Sequence, residues 1–124
     1  MSYPKIFTTP GVGDFAELVD EERQRQLKKW GDQRHPDGTG RPGDAHLADH
    51  YRAVCQANGP EEDNWRDISA EENFEMYAET DPEKLEKELI QSAAVLAAWW
   101  YDLQRRKNAR SDAHSIAALY PDER

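Results

Sequence analysis

The chain has 124 residues, enough for one domain with a modest core, and its 37% hydrophobic and 33% charged residues are polar without being a disordered composition. A formal net charge of −9 excludes a general binder of nucleic-acid polymers, because no excess of Lys and Arg exists to displace phosphate counterions. Cys55 stands alone and excludes an intrachain disulfide, and His35, His46, His50 and His114 are too scattered for a zinc site, with only His46 and His50 at i, i+4.

Met1-Ser2-Tyr3-Pro4-Lys5 opens the chain without the apolar core of a signal peptide, and no apolar run approaches ~18 residues. A cytoplasmic protein without a membrane partner is the expectation. Residues 1–13 carry Pro4, Pro10 and Gly11 and read as an arm before a helical domain over 14–106. Asp14 is a candidate N-cap for a first helix through Phe15, Leu18, Val19, Leu27 and Trp30, closed by Gly31. The stretch from Gly31 to Gly43 holds too much Gly and Pro to continue a helix and reads as a loop. Loops of this length are often lids or binding segments, and a plain tether is the other reading.

Asp44 is placed to cap a second helix through Leu47, Tyr51 and Val54, which stops at Asn58-Gly59-Pro60. Asn64 or Ser69 caps the third. Ser69-Ala70-Glu71-Glu72 has capping-box spacing, which would fold Glu72 back onto the Ser69 N–H. Asn64 is preferred, because Trp65 and Ile68 then join the helix and Glu72 is free to point elsewhere. Asp81-Pro82 ends that helix and begins a fourth, expected to run to about Arg106. Residues 107–124 read as a tail in which Ser111-Asp112 introduces a short amphipathic helix with Ile116, Leu119 and Tyr120. No strand-like alternation occurs, so the expected fold is all-α, with four to five helices.

At about 100° per residue, Ile68, Glu72, Glu75 and Glu79 share a sector of about 60° on the third helix. Phe74 and Tyr77 lie opposite, so that helix by itself has the pattern of a solvated acidic face. The fourth helix alters the balance. Leu89 to Tyr101 is apolar on nearly every face and is expected to be buried all round, with Glu88 heading the stripe of Ser92, Val95 and Trp99 and with Gln91 beside it. The tight Thr80-Asp81-Pro82 link makes these two helices antiparallel neighbours, whose acids can meet. Two carboxylates about 4 Å apart repel by ~4 kcal/mol at an effective dielectric near 20, so such a cluster calls for a cation. Oxygen donors select a hard ion, Mg²⁺ or Mn²⁺.

Glu71-Glu72-x-x-Glu75, twelve intervening residues and Glu88-x-x-Gln91 resemble the EExxE…ExxD signature of the MazG-like, all-α nucleoside triphosphate pyrophosphohydrolases. Gln26-Leu27-Lys28-Lys29-Trp30-Gly31 and His35-Pro36-Asp37-Gly38 look like the amino-terminal part of such proteins from bacteria and their phages, and the likeness spans roughly residues 20 to 106. The resemblance implies a bundle completed as a homodimer or homotetramer, and Mg²⁺-dependent cleavage of a nucleotide between its α and β phosphates. It implies metal ligands at Glu72, Glu75, Glu88 and Gln91, with Glu71 as a fourth catalytic acid that holds a water or a basic side chain. Gln91 departs from the family's aspartate. The site then has one charge fewer, for which Glu79 is the spare carboxylate, or the chain is a non-catalytic nucleotide- or protein-binding module. Lys84, about one turn before Glu88, is the candidate phosphate contact, or an ordinary surface lysine. Trp30, Trp65 or Trp99 would offer the base a stacking surface, and His35 and Asp37 would hydrogen-bond base or sugar as the loop closes.

Overall fold

Asn64 settles how the third helix begins. In the computed structural model, which describes residues 7–119 and the side chains of residues 7–112, its Oδ1 accepts from the Asp67 N–H at 2.9 Å while its Nδ2 donates to Asp67 Oδ2 at 2.8 Å. The Asn64 hydrogen bond is the main reason the Asp67 carboxyl lies below its ordinary range. Helix α3 therefore spans Trp65–Ala78, and Ser69 lies buried inside it rather than at its start. Asn64→Ala is expected to cost about 1 kcal/mol in urea denaturation, the usual loss on removing such a cap. A loss below about 0.3 kcal/mol would mean that the cap contributes little.

The other helices are α1, Val12–Trp30, α2, Asp44–Ala57, and α4, Pro82–Leu119, and no strand occurs among the described residues. The all-α expectation holds. Two caps differ from expectation. Gly11 and Gly43, both at positive φ, take the N-cap positions of α1 and α2, and neither cap is made by a side chain. Asp14 and Asp44 fall in the first turns instead, where a carboxylate meets the positive end of the helix dipole. Helix α4 also passes through Arg106 without a break, so the separate short helix expected beyond Lys107 is a continuation of α4. No Gly or Pro interrupts the sequence there, and Ser111-Asp112 is accommodated inside the helix. Tyr120 and residues 1–6 of the arm lie outside the described residues.

Helix α3 packs against both α2 and α4, and among the described residues α1 touches α4 alone. Small side chains allow close approach: Ala48, Ser69 and Ser92 are buried together with Leu85. Aromatic rings add the larger contacts. Tyr51 of α2 stacks on Phe74 of α3 with centroids 5.5 Å apart, and Phe15 of α1 meets Trp100 of α4 at 5.7 Å. The Trp65 indole N–H donates to Asp102 Oδ2 at 2.9 Å, which ties the start of α3 to α4.

The expectation that α4 is buried all round fails. Ile90 is 71% exposed and Leu89 50%, and Leu96 and Leu103 are also open to solvent. A helix apolar on every face needs neighbours on every side, and among the described residues α4 has only α3 and α1. The stripe led by Glu88 is the covered one: Ser92 is buried, and Val95 and Trp99 are half-buried.

Candidate metal centre

The turn at Thr80-Asp81-Pro82 brings the last two turns of α3 against the first turns of α4. Asp81 builds it, accepting through Oδ2 from the Lys84 N–H at 3.0 Å, while its own N–H donates to Glu79 Oε1 at 3.0 Å. This antiparallel pairing places Glu72 and Glu75 opposite Glu88, with one carboxylate oxygen from each lying within 4.8 Å of the others. No other group of three or more His, Cys, Asp and Glu side chains among the described residues is arranged to hold an ion. His46 and His50 are exposed, and His50 sets its ring edge-on to Tyr51.

Burial sets the electrostatics. Glu72 Oε2 and Glu88 Oε2 are shielded from solvent without a hydrogen-bond partner, as is the Oγ of Ser92, one turn beyond Glu88. Burial pushes the Glu72 carboxyl above its ordinary range, and the charges of Glu75, Glu88 and Glu71 add to the effect. Burial does the same to Glu88, with Glu75 and Glu79 contributing. Orphaned, crowded carboxylate oxygens are costly, and a hard divalent cation among them satisfies both their charge and their lone pairs. The residues present therefore fit such an ion.

The raised carboxyls have a consequence for pH. Groups protonated more readily in the folded than in the unfolded chain stabilise the fold fully below the unfolded value of about 4.3, and that contribution disappears as pH rises through the folded value. The metal-free protein should lose stability as pH rises above about 4.3, and Glu72→Gln should lose less over the same interval. Melting temperatures of the two proteins across that range test this, and parallel pH profiles would contradict it.

A cleft of about 320 Å³ opens beside the acids, lined among others by Ala48, Asp49 and Arg52 of α2, Glu75 of α3, Glu79 at its end, and Glu88. Arg52 crosses from α2 to α3, with Nη2 3.0 Å from Glu75 Oε1 and Nε 4.0 Å from Glu71 Oε1. Glu71 faces Arg52 beyond hydrogen-bond distance. It also helps burial push the neighbouring Cys55 thiol up to about 11, which leaves that thiol protonated and a poor nucleophile.

The remaining expected residues are placed unequally. Glu79 lines the cleft but is not one of the three clustered carboxylates. Gln91 is exposed and lines a different, shallow groove with Glu86, Lys87 and Ile90. Lys84 is exposed and does not line the cleft. Trp30, half exposed beneath the Lys29 ammonium, sits at the end of α1, which does not touch α2 or α3. His35 and Asp37 are exposed in the loop, whose later part is anchored where the Gly40 N–H donates to the Tyr77 carbonyl at 2.7 Å. Trp65 is committed to Asp102, and Trp99 is half-buried on α4.

Arg52 and Asp49 had no motif to announce them. Their i, i+3 pairing on α2 is ordinary, and the acid that gives Arg52 its place lies 23 residues further along. Comparison with protein-family models, curated proteins and solved structures yields no match to this chain.

Proposed function

We propose that this protein is a Mg²⁺-dependent hydrolase that converts a nucleoside triphosphate, or a related nucleotide, to the monophosphate and pyrophosphate. The observation that carries the reading is the convergence of Glu72, Glu75 and Glu88, two of them with buried, unpartnered oxygens, at the edge of a cleft. The motif resemblance supplies the reaction type, and the oxygen donor set favours Mg²⁺, with Mn²⁺ as the alternative ion.

Glu72, Glu75 and Glu88 would hold the ion. When bound it supplies Lewis-acid polarisation of phosphate oxygens and a more acidic water. A cluster oxygen left free of the ion would accept the proton of the attacking water, and burial, which raises Glu72 and Glu88, makes each a stronger base than an ordinary carboxylate. Glu71 would act indirectly, through its charge beside Arg52, which Glu75 and Asp49 hold. The reading includes a cytoplasmic homodimer or homotetramer, because a second copy would cover the apolar residues that α4 leaves open. No helix among the described residues is long and apolar enough to cross a membrane.

A panel of NTPs and dNTPs incubated with Mg²⁺ and scored for monophosphate and pyrophosphate tests the proposal. Turnover of at least one nucleotide, lost on chelation, is expected. No turnover, together with no rise in melting temperature on adding Mg²⁺, would refute it.

Gln91 favours a second reading, a non-catalytic nucleotide- or protein-binding module, because it is neutral where the family signature has an acid and it lies exposed outside the cleft lining. Gln91→Asp separates the two. Hydrolysis that appears only in the variant would make the natural protein a binder.

A further inference from the structure

Glu75 has two claimants. Arg52 Nη2 approaches its Oε1 to 3.0 Å, in a charge-assisted hydrogen bond, and a divalent ion shared with Glu72 and Glu88 would need the same carboxylate. Arg52 is also the only cationic side chain among the described residues that line the cleft. Its other partners are Asp49 Oδ1 at 2.8 Å, within α2, and Glu71 Oε1 at the longer 4.0 Å.

A guanidinium and a divalent ion on one carboxylate repel each other, so occupation of the acid cluster weakens the hold of Glu75 on Arg52. The side chain keeps Asp49 as an anchor, and its remaining N–H donors then face the cleft. Anionic phosphate oxygens are what a planar guanidinium fork pairs with best. Lys84, the other cation considered, does not line the cleft.

We infer that Arg52 is the phosphate-contacting residue of this cleft, held on Glu75 as an internal counter-ion until a divalent cation displaces it. The inference rests on the reading of Glu72, Glu75 and Glu88 as a metal centre. It requires effects of opposite sign on two ligands, which a purely structural arginine would not produce.

Mn²⁺ binding to the full chain, followed by calorimetry without nucleotide, and binding of radiolabelled pyrophosphate, followed by equilibrium dialysis in excess Mg²⁺, provide the two readouts. Arg52→Ala is expected to bind Mn²⁺ about threefold or more tighter, because a repelling charge and a competitor are gone. The same variant should bind pyrophosphate about tenfold or more weakly, and Arg52→Lys should recover part of that loss by restoring charge without the fork. Arg52→Gln carries the same comparison if alanine unfolds the chain. Weaker Mn²⁺ binding in Arg52→Ala, or unchanged pyrophosphate binding, overturns the inference. If the wild type binds Mn²⁺, Glu72→Gln does not, and Arg52→Ala matches the wild type in both assays, the Arg52 inference fails and the metal centre stands. If wild type and Glu72→Gln bind Mn²⁺ equally poorly, both fail.

Discussion

Glu72→Gln is expected to stabilise the metal-free protein while removing the proposed response to Mg²⁺ and the proposed nucleotide hydrolysis. Glu72 carries a buried, unpartnered oxygen and lies among three other acids whose charges push its carboxyl upward. Replacing that charge by an amide relieves repulsion that amounts to about 1 kcal/mol once the solvent reaching the cluster is allowed for. The melting temperature should therefore rise by a few degrees without metal. With Mg²⁺ the order reverses, because the wild type gains binding energy that the variant cannot match. Loss of a residue that only hydrogen-bonds to a metal ligand typically costs about 10–100-fold in metal affinity or activity, so loss of a ligand itself should cost at least about a hundredfold in hydrolysis. A variant stabilised equally with and without Mg²⁺ would indicate acids that serve the fold alone.

Gly11→Ala should be among the most damaging single-methyl changes in the chain. Gly11 caps α1 at a φ of 82°, and a Cβ added there would lie 2.8 Å from Tyr101 Cγ and 3.1 Å from Tyr101 Cβ, with the ring edge closer still. Rotation about χ1 moves the tyrosine ring, but its Cβ is fixed by the α4 backbone and stays at 3.1 Å. Since α1 docks only on α4 among the described residues, relief of the collision must lift α1 and disturb the Phe15–Trp100 contact. Gly43→Ala is the matched control: it has the same capping role at φ 93°, but nothing lies within 4 Å of the added methyl. The control should cost about 1 kcal/mol, the left-handed backbone penalty, and Gly11→Ala about 2–4 kcal/mol, measured by urea denaturation. Equal costs would show that α1 does not seat against Tyr101 in solution.

The two acids Asp14 and Asp44 show where sequence rules stop short. Both carry a capping preference, but Gly43 directly before Asp44, and Gly11 three residues before Asp14, adopt a left-handed turn without strain, so the glycine becomes the cap and the acid falls in the first turn. Asn64 was readable because its side chain exchanges hydrogen bonds with Asp67, a purely local event. The Glu72, Glu75 and Glu88 cluster was readable for a related reason: a tight turn between two periodic helices leaves little freedom in which faces meet.

Exposure along α4 was not readable. Apolar periodicity records which surfaces avoid water, and Leu89 and Ile90 have that character without a helix among the described residues to cover them. Arg52 escaped notice because its place depends on how α2 packs against α3, through Ala48, Tyr51 and Phe74, and no short motif encodes that packing.

The proposed metal centre is tested most directly by a crystal structure of the protein grown with Mn²⁺, using anomalous scattering to locate any ion. A single strong peak bounded by oxygens of Glu72, Glu75 and Glu88, with Arg52 drawn off Glu75, is the predicted result. The three carboxylates in place with no anomalous peak between them, and Arg52 still paired with Glu75 in excess Mn²⁺, would contradict it.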